Sequence, residues 1–388
     1  MEATLERAEL VDRAAELVPL LRANAPRAAH ERRPPRENLE ALRDAGLLHL
    51  LRPARFGGHE ADMRTKDAVV AEIARGCGST AWVALIYNDA DYLLARFPDE
   101  LQELVFADPD TRATATLIPK GRAERRGDGY VVSGRWPFNT GCMDAEWVMQ
   151  PTFCDGVPVQ VLLPYSDVVI EDDWMVSGMS GTASNTVRAD EVFVPEDRVV
   201  RQVDVVGETH LSDRNADTPL YRIPLILELL TGGPAPFTGM SATAVELSLA
   251  QLAEERPIAY TGYAARRDAA ITHHQMAEAS LLIESAGHHA ASAAGLVDAR
   301  IADGEPFRPE DKARVWGLVS YATKLHAQAA EILRAAAGAG CIRVDSPLNL
   351  VLRDIQALAA HAAMMPATGI EHYGRSLCGL PPATPLLA

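Results

Sequence analysis

Trp136, Phe138, Asn139 and Thr140 bring two aromatic faces, an amide and a hydroxyl together at the end of the alternating run Tyr130-Val131-Val132-Ser133. That run reads as a strand. A strand ending in such groups suits a flat polar ring, with Phe138 near its face and Asn139 and Thr140 hydrogen-bonding to its edge. A strand end packed into a core between domains explains the same residues, because aromatics are core formers first. A second candidate, His361, lies far along the chain. Its imidazole titrates near neutrality. Asp354 stands seven residues before it, nearly the same face of a helix at about 3.6 residues per turn, and Met364, Met365 and Thr368 extend that stripe. A packed histidine on an Ala-rich helix is the plain alternative.

Three kinds of chain surround these residues. From residue 4 to about 110 the apolar pattern is helical, as in Leu10, Val11, Ala15, Val18 and Leu21, with Pro34-Pro35 offsetting the next helix. Residues 113 to about 200 break into short β-branched runs split by Gly, Asp and Pro. Beyond about residue 220, long Ala-rich helices return, for instance over 275–303 and 309–337. Helix, sheet, helix is an α+β plan, with expected domains at 1–112, 113–205 and 220–388.

The bulk numbers exclude more than they identify. With 388 residues, 48% of them apolar and 23% charged, the chain has ample material for a core. A formal net charge of −16 argues against a nucleic-acid partner, which would need clustered cations. No apolar run reaches the roughly 18 residues that cross a bilayer, so no membrane association is expected. The charged start MEATLERAELVDRAAEL lacks the apolar core of a secretory signal. Five widely spaced cysteines without a CxxC pair fit a reducing cytoplasm better than a disulfide framework. GxGxxG and GxxxxGK[ST] are both absent, so neither a Rossmann nor a P-loop site is expected.

Several stretches, in order, resemble the acyl-CoA dehydrogenase superfamily: LEALRDAGLLHLLRPARFGG (39–58), CGSTAW (77–82), GDGYVVSGRWPFNTG (127–141), the run from Trp174 to Pro195, SPLNLVLRDIQALAAH (346–361) and YGRSLCGLP (373–381). The resemblance covers about residues 28 to 380. It implies an N-terminal helical domain, a middle β-barrel and a C-terminal four-helix bundle, assembled as a homotetramer. The dehydrogenases use a glutamate base in the bundle, yet no carboxylate occurs between Asp354 and Glu371. The Arg-Asp-(six residues)-His pattern at 353–361, with the Gly-Arg-Trp-Pro-Phe segment, is instead similar to the group D two-component flavin-dependent monooxygenases. There the corresponding histidine faces the flavin.

That branch implies reduced FMN or FAD delivered by a flavin reductase, and reaction with O2 to a C4a-hydroperoxide. A small aromatic or amine-bearing metabolite is then hydroxylated at carbon or nitrogen. His361 could serve as base or as hydrogen-bond donor. Asn139 and Thr140 match catalytic positions near flavin N5 and C4a, although Asn139 departs from the usual serine. The resemblance places Trp136, Phe138, Trp174, Ser184, Arg266 and Gly338 against the cofactor. For Trp174 core packing, for Arg266 surface decoration and for Gly338 a helix end are the plain alternatives. Where relatives carry a second histidine, IYNDADYLL (86–94) offers Asn88, Asp89, Asp91 and Tyr92, so Asn88, Tyr92 and Met365 are candidate substrate contacts and the carboxylates hint at an amine. His273-His274 and His288-His289 are not expected to hold metal, since adjacent helix residues diverge by about 100°. The alternatives are an FAD-dependent acyl-CoA dehydrogenase and a non-catalytic scaffold of the same fold.

Overall fold

The computed structural model describes residues 2–207, 210–254 and 256–387. Five helices come first: α1 (Glu2–Glu31), α2 (Arg36–Asp44), α3 (Met63–Gly76), α4 (Gly78–Leu94) and α5 (Asp99–Val105). Pro35 caps α2, and Asp62 caps α3 by accepting from the Thr65 N–H. The α1 stripe buries Leu10, Ala14, Val18 and Leu21, so Ala14 takes the inward place expected of Ala15. No helix among the described residues is long and apolar enough to cross a membrane.

Eight strands follow: β1 (Ala113–Ala115), β2 (Arg122–Arg126), β3 (Gly129–Asn139), β4 (Trp147–Cys154), β5 (Val157–Pro164), β6 (Val169–Glu171), β7 (Asn185–Pro195) and β8 (Val199–Arg201). They form one sheet in the order β6-β7-β3-β2-β4-β5-β8, with β1 pairing β4. Pairing is antiparallel except for β1–β4 and β2–β4. The expected barrel is therefore a sheet whose edge strands β6 and β8 do not pair with each other among the described residues. It wraps an apolar core of its own, with Val132, Trp136, Val148, Val161, Leu163 and Val187 in one cluster.

A short helix α6 (Gln202–Val206) leads to α7 (Leu225–Gly232), α8 (Pro234–Leu252), α9 (Ala270–Asp303), α10 (Pro309–Ala337), α11 (Pro347–Leu358) and α12 (Pro366–Leu377). Proline at the first turn suits α8, α10, α11 and α12, because the missing N–H is one no helix could satisfy there. The first and last helical segments share one core, running from Leu10 through Trp82 and Phe237 to Trp316. They meet most closely where α8 crosses α3: a Cβ on Gly239 would lie 2.0 Å from the Ala71 carbonyl oxygen. The sheet is thus held beside a continuous helical body, and Thr140, Trp174, Ser184 and His361 lie along that seam.

Candidate active site

The end of β3 is irregular, and the irregularity sorts its side chains. Trp136 pairs with Val187 and Asn139 with Asn185, so two β3 residues oppose one on β7. This is a bulge, which re-aims the side chains it displaces. Phe138 sits at its crest with φ of 65° and is 69% exposed. Trp136 turns into the sheet core and donates from Nε1 to the Pro151 carbonyl at 2.7 Å. Asn139 also turns inward, donating to the Trp136 carbonyl (2.6 Å) and accepting from Gln150 Nε2 (2.5 Å). Two cofactor expectations are thereby corrected: the side chains of Trp136 and Asn139 turn into the sheet and bond there.

Phe138 and Thr140 point the other way. Phe138 meets Trp174 edge-on, with ring centroids 5.9 Å apart. Thr140 Oγ1 accepts from Trp82 Nε1 on α4 at 3.2 Å and bonds Ser184 Oγ at 2.8 Å. Ser184 continues to Thr182 Oγ1 at 2.7 Å, which donates to the Met179 carbonyl at 2.9 Å. The same carbonyl accepts from Trp174 Nε1 at 3.2 Å. Met179 and Ala183 both have left-handed backbone, φ 53° and 47°, conformations that cost of order 1 kcal/mol or more each and persist only where the surroundings impose them. Asp354 on α11 supplies part of that imposition by accepting from the Met179 N–H at 2.6 Å. Gly178 permits the approach, since a Cβ there would lie 2.3 Å from the Arg353 carbonyl oxygen.

His361 does not lie on a helix face with Asp354. Helix α11 ends at Leu358, and His361 occupies the turn before α12. Local propensity favours continuing the helix through this Ala-rich stretch; partners on α10 end it, Trp316 Nε1 donating to the Ala363 carbonyl (2.9 Å) and Ser320 to that of Met365 (3.4 Å). The Met364–Met365–Thr368 stripe is corrected with it: Met364 is buried, while Met365 precedes α12 and is 38% exposed. The His361 ring rests edge-on against Trp82, centroids 5.0 Å apart. It is accessible from one side yet surrounded by protein, and that surrounding pushes its pKa down to about 4. The imidazole is therefore neutral at physiological pH, ready to accept a proton or to donate its N–H. Burial pushes the Asp354 carboxyl up to about 6, against the opposing pull of the Met179 N–H and Arg353.

Asn88, Asp89, Asp91 and Tyr92 of α4 do not join this hydrogen-bonded chain. Asn88 is buried and bonds the Leu47 and Ala84 carbonyls and the Leu50 N–H. The Tyr92 hydroxyl donates to the Leu220 and Ile223 carbonyls. Asp91 is held by Arg52 (3.0 Å) and His49 (2.9 Å). Asp89 is held by Lys66 at 3.1 Å, and Lys66 also meets Glu228 at 2.6 Å, all buried. Burial and then the neighbouring Glu228 lift the Asp89 carboxyl well above its ordinary range. Asn88 and Tyr92 are thus framework rather than substrate contacts, and the two aspartates give no opening for an amine.

Ser184 belongs to the hydroxyl chain. Arg266 and Gly338 adjoin each other, Arg266 Nη1 donating to the Ala337 carbonyl at 2.7 Å, but this is about 30 Å along α10 from Trp316 at roughly 1.5 Å per residue. Within one chain they do not join His361. An open cavity of about 460 Å³ lies elsewhere, lined by Arg33, Arg36, Arg43 and Arg112, each paired with a nearby carboxylate. Among the described residues no three metal-ligating side chains cluster. The residues that sequence reasoning passed over are Trp82 and Thr182; the signal for Trp82 is the clearer. That signal is its place in CGSTAW, a segment already singled out.

Exposed Phe138 beside Trp174, a hydroxyl edge at Thr140 and a neutral imidazole open on one side fit a flat ring with a polar rim. Asp354, the carboxylate that borders this hydroxyl chain, is committed to the Met179 N–H. Residues 5–104 match the family model "Acyl-CoA dehydrogenase, N-terminal domain", and 232–366 match "Acyl-CoA dehydrogenase, C-terminal domain". The chain is 32% identical over 371 residues to a flavin-dependent monooxygenase, oxygenase subunit HsaA, of Rhodococcus jostii, covering 94% of this chain and 97% of that one. It is 29% identical to the oxygenase component of an FADH2-dependent resorcinol hydroxylase from Rhizobium sp., covering 98% and 96%. The solved structure of XiaF from Streptomyces sp., in complex with FADH2 and glycerol, superposes with a TM-score of 0.93 at 29% identity, covering 99% and 98%.

Proposed function

The chain belongs to the acyl-CoA dehydrogenase superfamily, among its flavin-dependent monooxygenase oxygenase subunits, and on that premise we propose that it hydroxylates a small aromatic substrate at carbon, using O2 and reduced flavin from a separate reductase. The observation that carries the reading is the position of Trp82, whose ring touches His361 while its N–H holds Thr140. Two FADH2-associated relatives support reduced FAD over FMN as the cofactor. When bound, the reduced flavin supplies the two electrons that activate O2. Phe138 and Trp174 would wall the ring, and Thr140 would meet its polar edge. His361, open on one side of the recess, takes the phenolic proton of the substrate and so raises the nucleophilicity of the aromatic carbon. Hydroxylation of an amine has lost its support, because Asp89 and Asp91 are neutralised within the fold.

The reading extends to a cytoplasmic homotetramer. Ile271 and Leu281 stand exposed on α9, a face that association of copies would cover. Sedimentation equilibrium should return the mass of four chains.

Rapid mixing of the protein plus reduced FAD with oxygenated buffer tests the chemistry. A lasting near-ultraviolet species distinct from oxidised flavin is expected, decaying with product formation when a phenol is present. Reoxidation at the rate of free flavin, with no product across a panel of phenols, would overturn the assignment.

A further inference from the structure

Four hydrogen-bonded gaps separate the indole N–H of Trp82 from the carbonyl of Met179. They run from Trp82 to Thr140 (3.2 Å), Thr140 to Ser184 (2.8 Å), Ser184 to Thr182 (2.7 Å) and Thr182 to Met179 (2.9 Å). The indole end can only donate and the carbonyl end can only accept. One indole proton and three hydroxyl protons are available for the four gaps. A single arrangement fills them all, with every hydroxyl pointing away from Trp82 and toward Met179. The three hydroxyl residues are 6%, 5% and 0% exposed, so water does not compete for their protons. The accepting end is itself pinned, since Asp354 holds the Met179 N–H and Trp174 shares the Met179 carbonyl. Thr140 is left with a spare lone pair and no spare proton.

We propose that this directed chain makes Thr140 an acceptor only, and that Thr182 and Ser184 thereby set which redox state of the flavin the site takes. The proposal rests on the reading that Thr140 faces the flavin edge. Reduced isoalloxazine carries an N–H at N5, which Thr140 can accept. The oxidised ring has a bare nitrogen there, so Thr140 would meet it acceptor to acceptor. To donate instead, Thr140 must give up its bond to Ser184, or the whole chain must reverse and abandon the Thr182–Met179 bond; either way one buried hydrogen bond is lost. Thr182 and Ser184 are positioning residues: they act through Thr140.

Anaerobic titration with reduced and with oxidised FAD, without substrate or turnover, tests this. The wild-type protein should bind the reduced form more tightly. Thr182→Val, nearly isosteric, removes the terminal donor and lets the chain point either way. The preference for reduced FAD should then fall about tenfold, equivalent to about 30 mV in the two-electron potential of bound flavin. Ser184→Ala strips Thr140 of its inward acceptor and should produce a similar fall. Thr182→Ser keeps the hydroxyl and should restore the wild-type ratio. An unchanged ratio in Thr182→Val and Ser184→Ala, or no preference in the wild type, overturns the proposal. If Thr182→Val fails to fold by circular dichroism, Ser184→Ala decides alone. A wild-type protein that binds neither form refutes the flavin reading itself, and this proposal with it.

Discussion

The indole of Trp82 stands edge-on to the imidazole of His361 at 5.0 Å between ring centroids, and its N–H donates to Thr140. One side chain of α4 therefore touches both a turn after α11 and the end of β3. Residues about 280 and about 60 positions away from it are fixed relative to each other through a rigid two-ring contact, which is how positioning energy reaches a reacting centre.

Replacing His361 with alanine should separate binding from chemistry. Hydroxylation should fall by about 10²-fold or more, the usual contribution of a positioned acid–base group, while reduced FAD still binds. Coupled turnover with a reductase and a direct titration give the two numbers. Activity within a few-fold of wild type would return His361 to a packing role.

Stability against pH should reveal two opposed groups. Asp354, pushed up to about 6, keeps its proton in the folded state over a range where the unfolded chain has lost it; its contribution to stability falls as pH rises from about 4 to about 6. His361, pushed down to about 4, is neutral in the folded state while the unfolded chain is still protonated; its contribution rises from about pH 4 to about 6.5. Relative to wild type, His361→Ala should tilt the curve downward with rising pH, and Asp354→Asn should tilt it upward. Urea midpoints across that window check both signs.

Lys66→Met should expose the burial of charge behind α4. Without the ammonium, Asp89 and Glu228 lose their shared partner, and removing one side of a buried ion pair costs about 3–5 kcal/mol. The deficit should shrink on acidification, because protonated carboxyls no longer need the cation. Urea denaturation at about pH 7 and about pH 5 is the measurement. A second change, Glu228→Gln, should recover part of the loss.

Asn88→Ala should cost about 2 kcal/mol of stability by removing the side-chain partner of the buried Leu47 carbonyl and Leu50 N–H. The KM for the aromatic substrate should not change, which distinguishes a framework residue from a substrate contact. Thermal unfolding and steady-state kinetics on the same preparation decide it.

Much of the fold was legible because its signals are local. Alternation marks β3 and β7, and the Ala-rich runs over 275–303 and 309–337 appear as α9 and α10. The site was legible in part: Phe138, Thr140, Trp174 and Ser184 join one network in the same seam as His361. Its errors come from partners distant in sequence. The turn carrying His361 is held by Trp316 and Ser320 on another helix, and only its far end is marked locally, by Pro366. Asp89 and Asp91 look like open carboxylates until Lys66 and Arg52 are seen beside them. The inward turn of Asn139 follows from a single bulge, which no periodic pattern in β3 announces.

No contiguous stretch of polypeptide carries the recess: Trp82 precedes the sheet, Thr140 and Ser184 belong to it, and Asp354 and His361 come after it. A ribosome must therefore deliver residue 361 before the pieces can close on one another. On the proposed reading, a half-made chain has no place to capture an oxygen-reactive cofactor, so the growing polypeptide is spared from leaking peroxide while it is still being made.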